Sequence, residues 1–134
     1  GRSDIVAHSL GTRVVRLALA DPSVPCHGRV ALLHGADYVA PWRAVIAQRP
    51  DLAVFNACSA TDMVLRFLGQ WFAPEALRAD VIGYQGLLSD PPAPGLTEHY
   101  VPDSARLTDD HWIMPWPEVR AWLKSEVRKE RTAS

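Results

Sequence analysis

The sequence has little net charge, few cysteines and no long apolar run. No apolar stretch in its 134 residues approaches the roughly 20 residues that a membrane-spanning helix requires, so we expect no membrane span. A formal net charge of -1 argues against a nucleic-acid partner, because such proteins carry basic patches. Cys26 and Cys58 lack metal-site spacing, which predicts two unpaired thiols in a reducing compartment. We therefore expect a cytoplasmic protein.

The composition that remains is that of an ordinary globular protein. Hydrophobic residues make up 48% of the chain and charged residues 22%, which argues against disorder. A chain of 134 residues fits one domain, and no internal repeat divides it. We predict a single domain over residues 1–134.

Apolar strand patterns alternate with helical ones along the chain. Strands are predicted at residues 4–8, 29–34, 52–57 and 97–101, with a weaker one at 80–84. Helices are predicted at 12–20, 42–48 and 62–72, and from Pro117 into the charged tail. The first helix is expected to place Val14, Val15, Leu17 and Ala18 on its apolar side. Continuous apolar strands separated by helices indicate an α/β fold, a parallel sheet with helices on both faces.

Residues 4–15 (DIVAHSLGTRVV) have the pattern of a strand, a sharp turn and a helix, with Ser9 at the turn. Such a turn exposes the serine hydroxyl and aims the next amide, that of Leu10, at the atom under attack. The usual G-x-S-x-G reads A-H-S-L-G here, so Ala7 replaces the first glycine. We expect small residues at both flanks because strand and helix approach closely there. His8 is expected to pack or bond locally, and a helix N-cap is the alternative role for Ser9.

A serine hydroxyl becomes a useful nucleophile when a histidine, itself held by a carboxylate, takes its proton. Ser9 is followed by Asp62 after the third strand and by His111 before the last helix. The carboxyl ends of parallel strands meet at one edge of the sheet, where ligands bind, so we expect these three residues to converge. Asp37, in the turn after the second strand, is the competing acid. An N-cap is the alternative for Asp62, and a surface position is the alternative for His111.

Other polar and aromatic residues lie close to the candidates. Trp112 follows the candidate base and is predicted to line a substrate site. Asp109 and Asp110 are interpreted as solvated loop charges. His34 and Asp37 have the spacing of a metal-ligand pair, but no third and fourth partner stand at recognisable spacing, so we expect no metal.

The segments DIVAHSLGTRV, VFNACSATDMVL and DDHWIMP resemble the α/β-hydrolase superfamily, in particular esterase- and lipase-like serine hydrolases. The resemblance covers essentially the whole chain, as the part of that fold from the nucleophile turn onward. It implies Ser9 as nucleophile, Asp62 as acid, His111 as base and Leu10 as one oxyanion-hole donor. It also implies hydrolysis of an ester or similar acyl bond in a small-molecule substrate, without a cofactor.

The chain starts at Gly1, eight residues before Ser9. The family's earlier strands, with the second oxyanion donor, have no counterpart here, so we expect a partial α/β-hydrolase fold lacking its N-terminal strands. A homodimer or a companion chain is then expected to cover the open edge of the nucleophile strand. The alternatives are a weak or inactive hydrolase-derived binding or assembly module, or one half of a split hydrolase.

Overall fold

A four-stranded parallel sheet forms the centre of the fold. The computed structural model describes residues 4–25, 28–72, 80–88, 93–103 and 109–134, with the backbone alone at 68–72 and at 109, so the prediction for the side chain of Asp109 lies outside the described part. The strands are β1 (Asp4–His8), β2 (Arg29–Leu33), β3 (Ala53–Cys58) and β4 (Leu96–Tyr100). They lie in the order β1-β2-β3-β4, and every neighbouring pair is parallel. The predicted α/β class is confirmed.

Helices cover both faces of this sheet. They are α1 (Gly11–Ala20), α2 (Val39–Gln48), α3 (Met63–Phe72), α4 (Ile82–Gln85) and α5 (Trp116–Ala133), with a 3-10 helix at Asp109–Trp112. On one face Trp42 of α2 and Ile82 of α4 pack in a core with Leu32. On the other face Trp122 of α5 packs in a second core with Phe55. Apolar β2 and β3 are thus buried from both sides, as their sequence predicts.

The strand register brings the loops after β1, β2 and β3 to the same edge. His8 pairs with Leu33, and Leu33 pairs with Ala57. The ladder continues one residue further, since Ser9 N donates to Leu33 O at 3.1 Å and His34 N donates to Ala57 O at 3.0 Å. Residues that follow these strands therefore start from one level, which is where the sequence places its candidate residues.

The weak strand predicted at 80–84 is wrong. Val81 makes a single antiparallel bridge and the short helix α4 follows it. The backbone of Gly83 links the ends of two strands instead: it donates to Gly35 O at 3.0 Å and accepts from Ser59 N at 2.8 Å. A Cβ at Gly83 would lie 2.4 Å from Gly35 N, so this close approach requires glycine.

Helix α1 buries a different face from the one predicted. Thr12 and Leu19 are its buried residues. Val14 and Leu17 are instead 68% and 58% exposed, and Leu10, just before the helix, is 57% exposed. Leu10, Val14 and Leu17 follow helical spacing and form one apolar surface, here called the α1 stripe. Of the four residues predicted on the apolar side, Val15 packs against the core, whereas Val14, Leu17 and Ala18 are exposed.

Two sequence expectations concern groups outside the site. Cys58 is a free, buried thiol, while Cys26 lies outside the described residues. Among the helices that the structure describes, none combines the length and apolar character needed to cross a membrane.

Candidate active site

Ser9 occupies a strained turn directly after β1. Its φ is +53°, in the left-handed region that residues with a Cβ seldom adopt. Its carbonyl oxygen accepts hydrogen bonds from Thr12 N (3.2 Å), Thr12 Oγ1 (2.7 Å) and Ala36 N (3.0 Å). These bonds hold the backbone in a conformation that costs energy, a feature that clusters at functional sites.

The residues around this turn differ in part from expectation. Leu10, rather than Ser9, is the N-cap of α1, so the alternative role for Ser9 is wrong. The Leu10 amide lies at a helix N-terminus, where N–H groups have no partner within the helix, although its oxyanion role stays a prediction. A Cβ at Gly11 would lie 4.0 Å from the Cβ of Ala7, an ordinary contact. Close approach therefore does not require glycine at this position.

The structure brings Ser9, His111 and Asp62 together in one chain of contacts. Ser9 Oγ lies 3.1 Å from His111 Nε2, and His111 Nδ1 lies 2.8 Å from Asp62 Oδ2. His111 is buried on the 3-10 helix, which excludes the surface alternative, and Asp62 is buried in the loop after β3. The ionised carboxylate only accepts, so Nδ1 of His111 carries the proton and Nε2 is free to accept from the serine hydroxyl.

Asp62 is held as a carboxylate despite its burial. Burial works to raise its pKa, but the hydrogen bonds from His111 and the Leu65 amide, together with the nearby His34 imidazole, outweigh burial and lower the pKa to about 2. Leu65 N donates to Oδ1 at 3.0 Å, which caps the start of α3. The two interpretations of Asp62 are compatible, because one oxygen caps a helix while the other faces the imidazole.

The competing acid, Asp37, has a different partner. Its buried carboxylate accepts from Arg16 Nε at 2.5 Å and from Arg16 Nη2 at 3.2 Å, and Arg13 Nε lies 4.0 Å away. These contacts tie α1 to the turn after β2. The structure thus places Asp37 on an arginine of α1, while Asp62 takes the position beside His111.

His8 supports the base from β1. Its Nε2 lies 3.0 Å from the His111 backbone oxygen and donates to it, across 103 residues of sequence. The expectation of a local bond is wrong, because the nearest polar group belongs to a distant segment folded over the turn. Burial lowers the pKa of His8, against the raising effect of its hydrogen bond to His111, which favours the neutral ring.

Asp110 connects the acid and base segments. It is buried, and its Oδ2 accepts from Thr61 Oγ1 at 2.5 Å. Thr61 Oγ1 also lies 2.9 Å from Ser59 Oγ. The interpretation of Asp110 as a solvated loop charge is wrong, since its partner lies in the loop that carries Asp62. A run of two aspartates gives no sequence signal of that partner.

Trp112 lies beside the base, as its position in the sequence requires. Its ring centroid is 5.0 Å from that of His111 and 5.4 Å from that of His8, and its side chain is 64% exposed. An exposed aromatic surface therefore borders the imidazole. Contact with a substrate stays a prediction.

No protein-family model, curated protein or solved structure matches this chain. Within the described part of the chain, no group of three or more His, Cys, Asp or Glu side chains is arranged to hold a metal ion. The function of the chain therefore has to be inferred from its own side chains.

Proposed function

We propose that this chain is a serine hydrolase of the α/β-hydrolase type that cleaves an ester or similar acyl bond. One observation carries the proposal: a serine in a strained turn lies 3.1 Å from an imidazole nitrogen whose other nitrogen is 2.8 Å from a buried carboxylate. Nucleophile, base and orienting acid are each within hydrogen-bond reach of the next, the arrangement that activates a serine.

The chemistry follows from the protons already assigned. Ser9 Oγ attacks the acyl carbon while its proton passes to Nε2 of His111, and Asp62 stabilises the resulting imidazolium. The Leu10 amide donates to the oxyanion of the tetrahedral intermediate. His111 then protonates the leaving alcohol and an acyl-enzyme remains. A water molecule, deprotonated by His111, attacks the ester carbon and releases the acid from Ser9.

The chain topology supports the same resemblance. Ser9 follows β1, Asp62 follows β3, and His111 lies between β4 and α5. This is the order of nucleophile, acid and base in α/β hydrolases. The strands also lie in sequential, parallel order, which brings the loops that carry Ser9 and Asp62 to one edge of the sheet.

A fluorophosphonate probe tests the proposal directly. The probe should label Ser9, located by mass spectrometry, and Ser9→Ala should abolish both labelling and hydrolysis of a p-nitrophenyl ester. Loss of a triad nucleophile removes on the order of a millionfold in turnover. Ser125→Ala, at an exposed site on α5, is the matched control and should be labelled like the wild type. Labelling elsewhere, or undiminished hydrolysis by Ser9→Ala, contradicts the proposal. A folded chain that neither reacts nor hydrolyses favours the inactive-module alternative.

The proposal includes a partner at β1. Within the described ranges β1 pairs with β2 on one side and faces no strand on the other. Val6 is in register with Ala31, which packs on the α5 side of the sheet, and Val6 is 47% exposed. The α1 stripe is exposed as well. Apolar side chains therefore remain uncovered beside an open strand edge, which favours pairing with another strand.

We assign that strand to a second copy or to a companion chain. Sedimentation should show association that Leu17→Lys weakens, because a charge in the α1 stripe opposes its burial. Phe67→Lys, at an exposed apolar residue of α3, is the control. A folded monomer with brisk esterase turnover contradicts this part of the proposal.

A further inference from the structure

His34 lies beside the hydrogen-bonded pair of Asp62 and His111, although the mechanism above does not use it. It directly follows β2, is fully buried, and has a φ of +46°. A buried histidine in left-handed backbone is costly, and such strain persists where the surroundings require that side chain in that place. Its amide is fixed by a 3.0 Å bond to Ala57 O, so the ring starts from a rigid point at the sheet edge.

The two ring nitrogens of His34 face two acceptors. Nε2 lies 2.7 Å from the Ile113 carbonyl oxygen, and a carbonyl only accepts, so Nε2 carries a proton. Nδ1 lies 3.3 Å from Asp62 Oδ2 without the alignment of a full hydrogen bond, and the described residues offer it no hydrogen-bond partner. Without a proton, the lone pair of Nδ1 would face the Asp62 carboxylate and repel it. With a proton on Nδ1, the contact is attractive.

We propose, on the basis of the proposed function, that His34 is a positioning residue for the acid–base pair. With a proton on each ring nitrogen, it holds Asp62 Oδ2 through Nδ1 and the Ile113 carbonyl through Nε2. Ile113 directly follows the 3-10 helix that carries His111. His34 therefore connects the two segments whose alignment decides whether Asp62 meets Nδ1 of His111, and it acts on the reaction through them.

Titratable and charged groups from several elements surround His34. His111 on the 3-10 helix has its ring centroid 5.9 Å away, and His8 on β1 has its centroid 6.4 Å away. Asp62 comes from the loop after β3, and Asp37, further along the turn that begins at His34, is paired with Arg16. Asp62 Oδ2 is thus flanked by Nδ1 of His34 and Nδ1 of His111. Loss of the His34 ring leaves that oxygen with His111 alone.

Three substitutions separate the two nitrogens. His34→Asn places an amide near the position of Nδ1, and Asn tolerates left-handed backbone. His34→Gln places an amide near the position of Nε2, and His34→Gly removes both groups while accepting the positive φ. His99→Asn is the matched control, since it makes the same change at a histidine of β4. The ring of His99 stacks on Phe55 of β3, with ring centroids 6.0 Å apart.

The kinetic result should follow the Asp62 contact. His34→Gly and His34→Gln should lower kcat by about tenfold to a hundredfold with little change in KM, the scale expected when a charged group loses a polar contact. His34→Asn should recover to within a few-fold of the wild type, and His99→Asn should match it. If His34→Gln had wild-type kcat and His34→Asn had a lowered kcat, the contact with the Ile113 carbonyl, and not the contact with Asp62, would explain the role of His34, and the inference would be wrong.

A second measurement does not depend on activity. The proton in the hydrogen bond between His111 Nδ1 and Asp62 gives its own NMR resonance. Circular dichroism first establishes that each variant is folded. We expect the resonance to shift in His34→Gly and His34→Gln and to return toward the wild-type position in His34→Asn. A wild-type resonance in all three overturns the inference. If these shifts occur but Ser9→Ala still hydrolyses esters, the proposed function fails while the contact of His34 with Asp62 stands.

Discussion

Two carboxylates, the fully buried Asp62 and the half-buried Glu98, show opposite pKa shifts within one small fold. Asp62 lies in the loop after β3, and Glu98 lies on β4. Burial works to raise the pKa of both, and both accept several hydrogen bonds. Yet the pKa of Asp62 is lowered to about 2, whereas that of Glu98 is raised above its ordinary value because burial outweighs its hydrogen bonds.

The donors explain the difference. Oε1 of Glu98 accepts from Asn56 Nδ2 (3.0 Å), Cys58 Sγ (3.2 Å) and Leu87 N (3.0 Å), and Oε2 accepts from Leu87 N at 3.1 Å. All of these donors are neutral. Glu98 also packs on the turn at Gly86, whose φ is +89° and where a Cβ would lie 2.1 Å from Oε1. Glu98 thus ties the end of α4 to the sheet.

Asp62 instead has two imidazoles as neighbours, each able to carry a proton. His111 Nδ1 lies 2.8 Å and His34 Nδ1 lies 3.3 Å from the same oxygen. Hydrogen bonds to the charged form favour ionisation, and a neighbour that becomes cationic favours it further. The number of hydrogen bonds therefore does not decide the direction of the pKa shift at these two carboxylates. The presence of histidine among the donors distinguishes them.

Activity should separate the two carboxylates most strongly. Asp62→Asn should lower kcat by about 10⁴-fold, since an amide stabilises the wrong tautomer of His111 and does not balance the imidazolium. Glu98→Gln should stay within a few-fold of the wild type. The measurement is p-nitrophenyl ester hydrolysis, with each variant shown to be folded. Equal losses in the two variants would mean that Asp62 is no more specific to the chemistry than Glu98.

The free energy of unfolding, rather than the activity, should depend on the neutral donors of Glu98. Asn56 is fully buried and donates to Glu98 Oε1 and to Ile82 O, both at 3.0 Å. Asn56→Ala removes both bonds and leaves the half-buried Glu98 carboxyl with one donor fewer, which should lower the free energy of unfolding, measured in urea, by about 2–3 kcal/mol. Thr97→Ala, at an exposed position on β4, is the control and should change little. A neutral Asn56→Ala would show that Glu98 does not depend on this donor.

The pH dependence of stability should have opposite signs at the two sites. The ordinary pKa of an aspartate is 3.8 and that of Asp62 is about 2, so its stabilisation is fully present above pH 3.8 and lost as the pH falls through about 2. The pKa of Glu98 is raised from 4.5, so its stabilisation is fully present below that pH and lost as the pH rises through its folded value.

Urea unfolding between pH 2 and pH 7 checks both signs. Asp62→Asn should flatten the loss of stability below pH 3.8, and Glu98→Gln should flatten the loss above pH 4.5. Equal slopes for wild type and Asp62→Asn in acid would show that Asp62 is not held ionised by its partners.

The comparison also marks what the sequence was able to predict. The four strands and the order of Ser9, Asp62 and His111 follow from local patterns and from the rule that parallel strands share an edge. The supporting contacts do not follow, because His34, Asp110 and Glu98 find their partners 11 to 79 residues away. A polar residue beside an apolar run carries no mark of a distant partner. The exposed side of α1 was missed for a related reason: periodicity predicts an apolar face but not what covers it.

The smallest effect is expected at Cys58, the weakest donor to Glu98. Burial and the nearby Glu98 carboxyl raise the pKa of this thiol, so it stays protonated and donates from Sγ. A thiol is a weak donor, and Cys58→Ala leaves Asn56 and Leu87 in place. The free energy of unfolding, measured in urea, should therefore fall by less than about 1 kcal/mol beyond the small cost of the cavity that the substitution creates. In the folded wild type, iodoacetamide should react with Cys58 very slowly, because the thiolate is the reactive form. Glu98→Gln should speed that reaction by removing the carboxyl that opposes thiolate formation. If Cys58→Ala lost as much unfolding free energy as Asn56→Ala, the thiol would be as important a donor to Glu98 as the amide, contrary to this prediction.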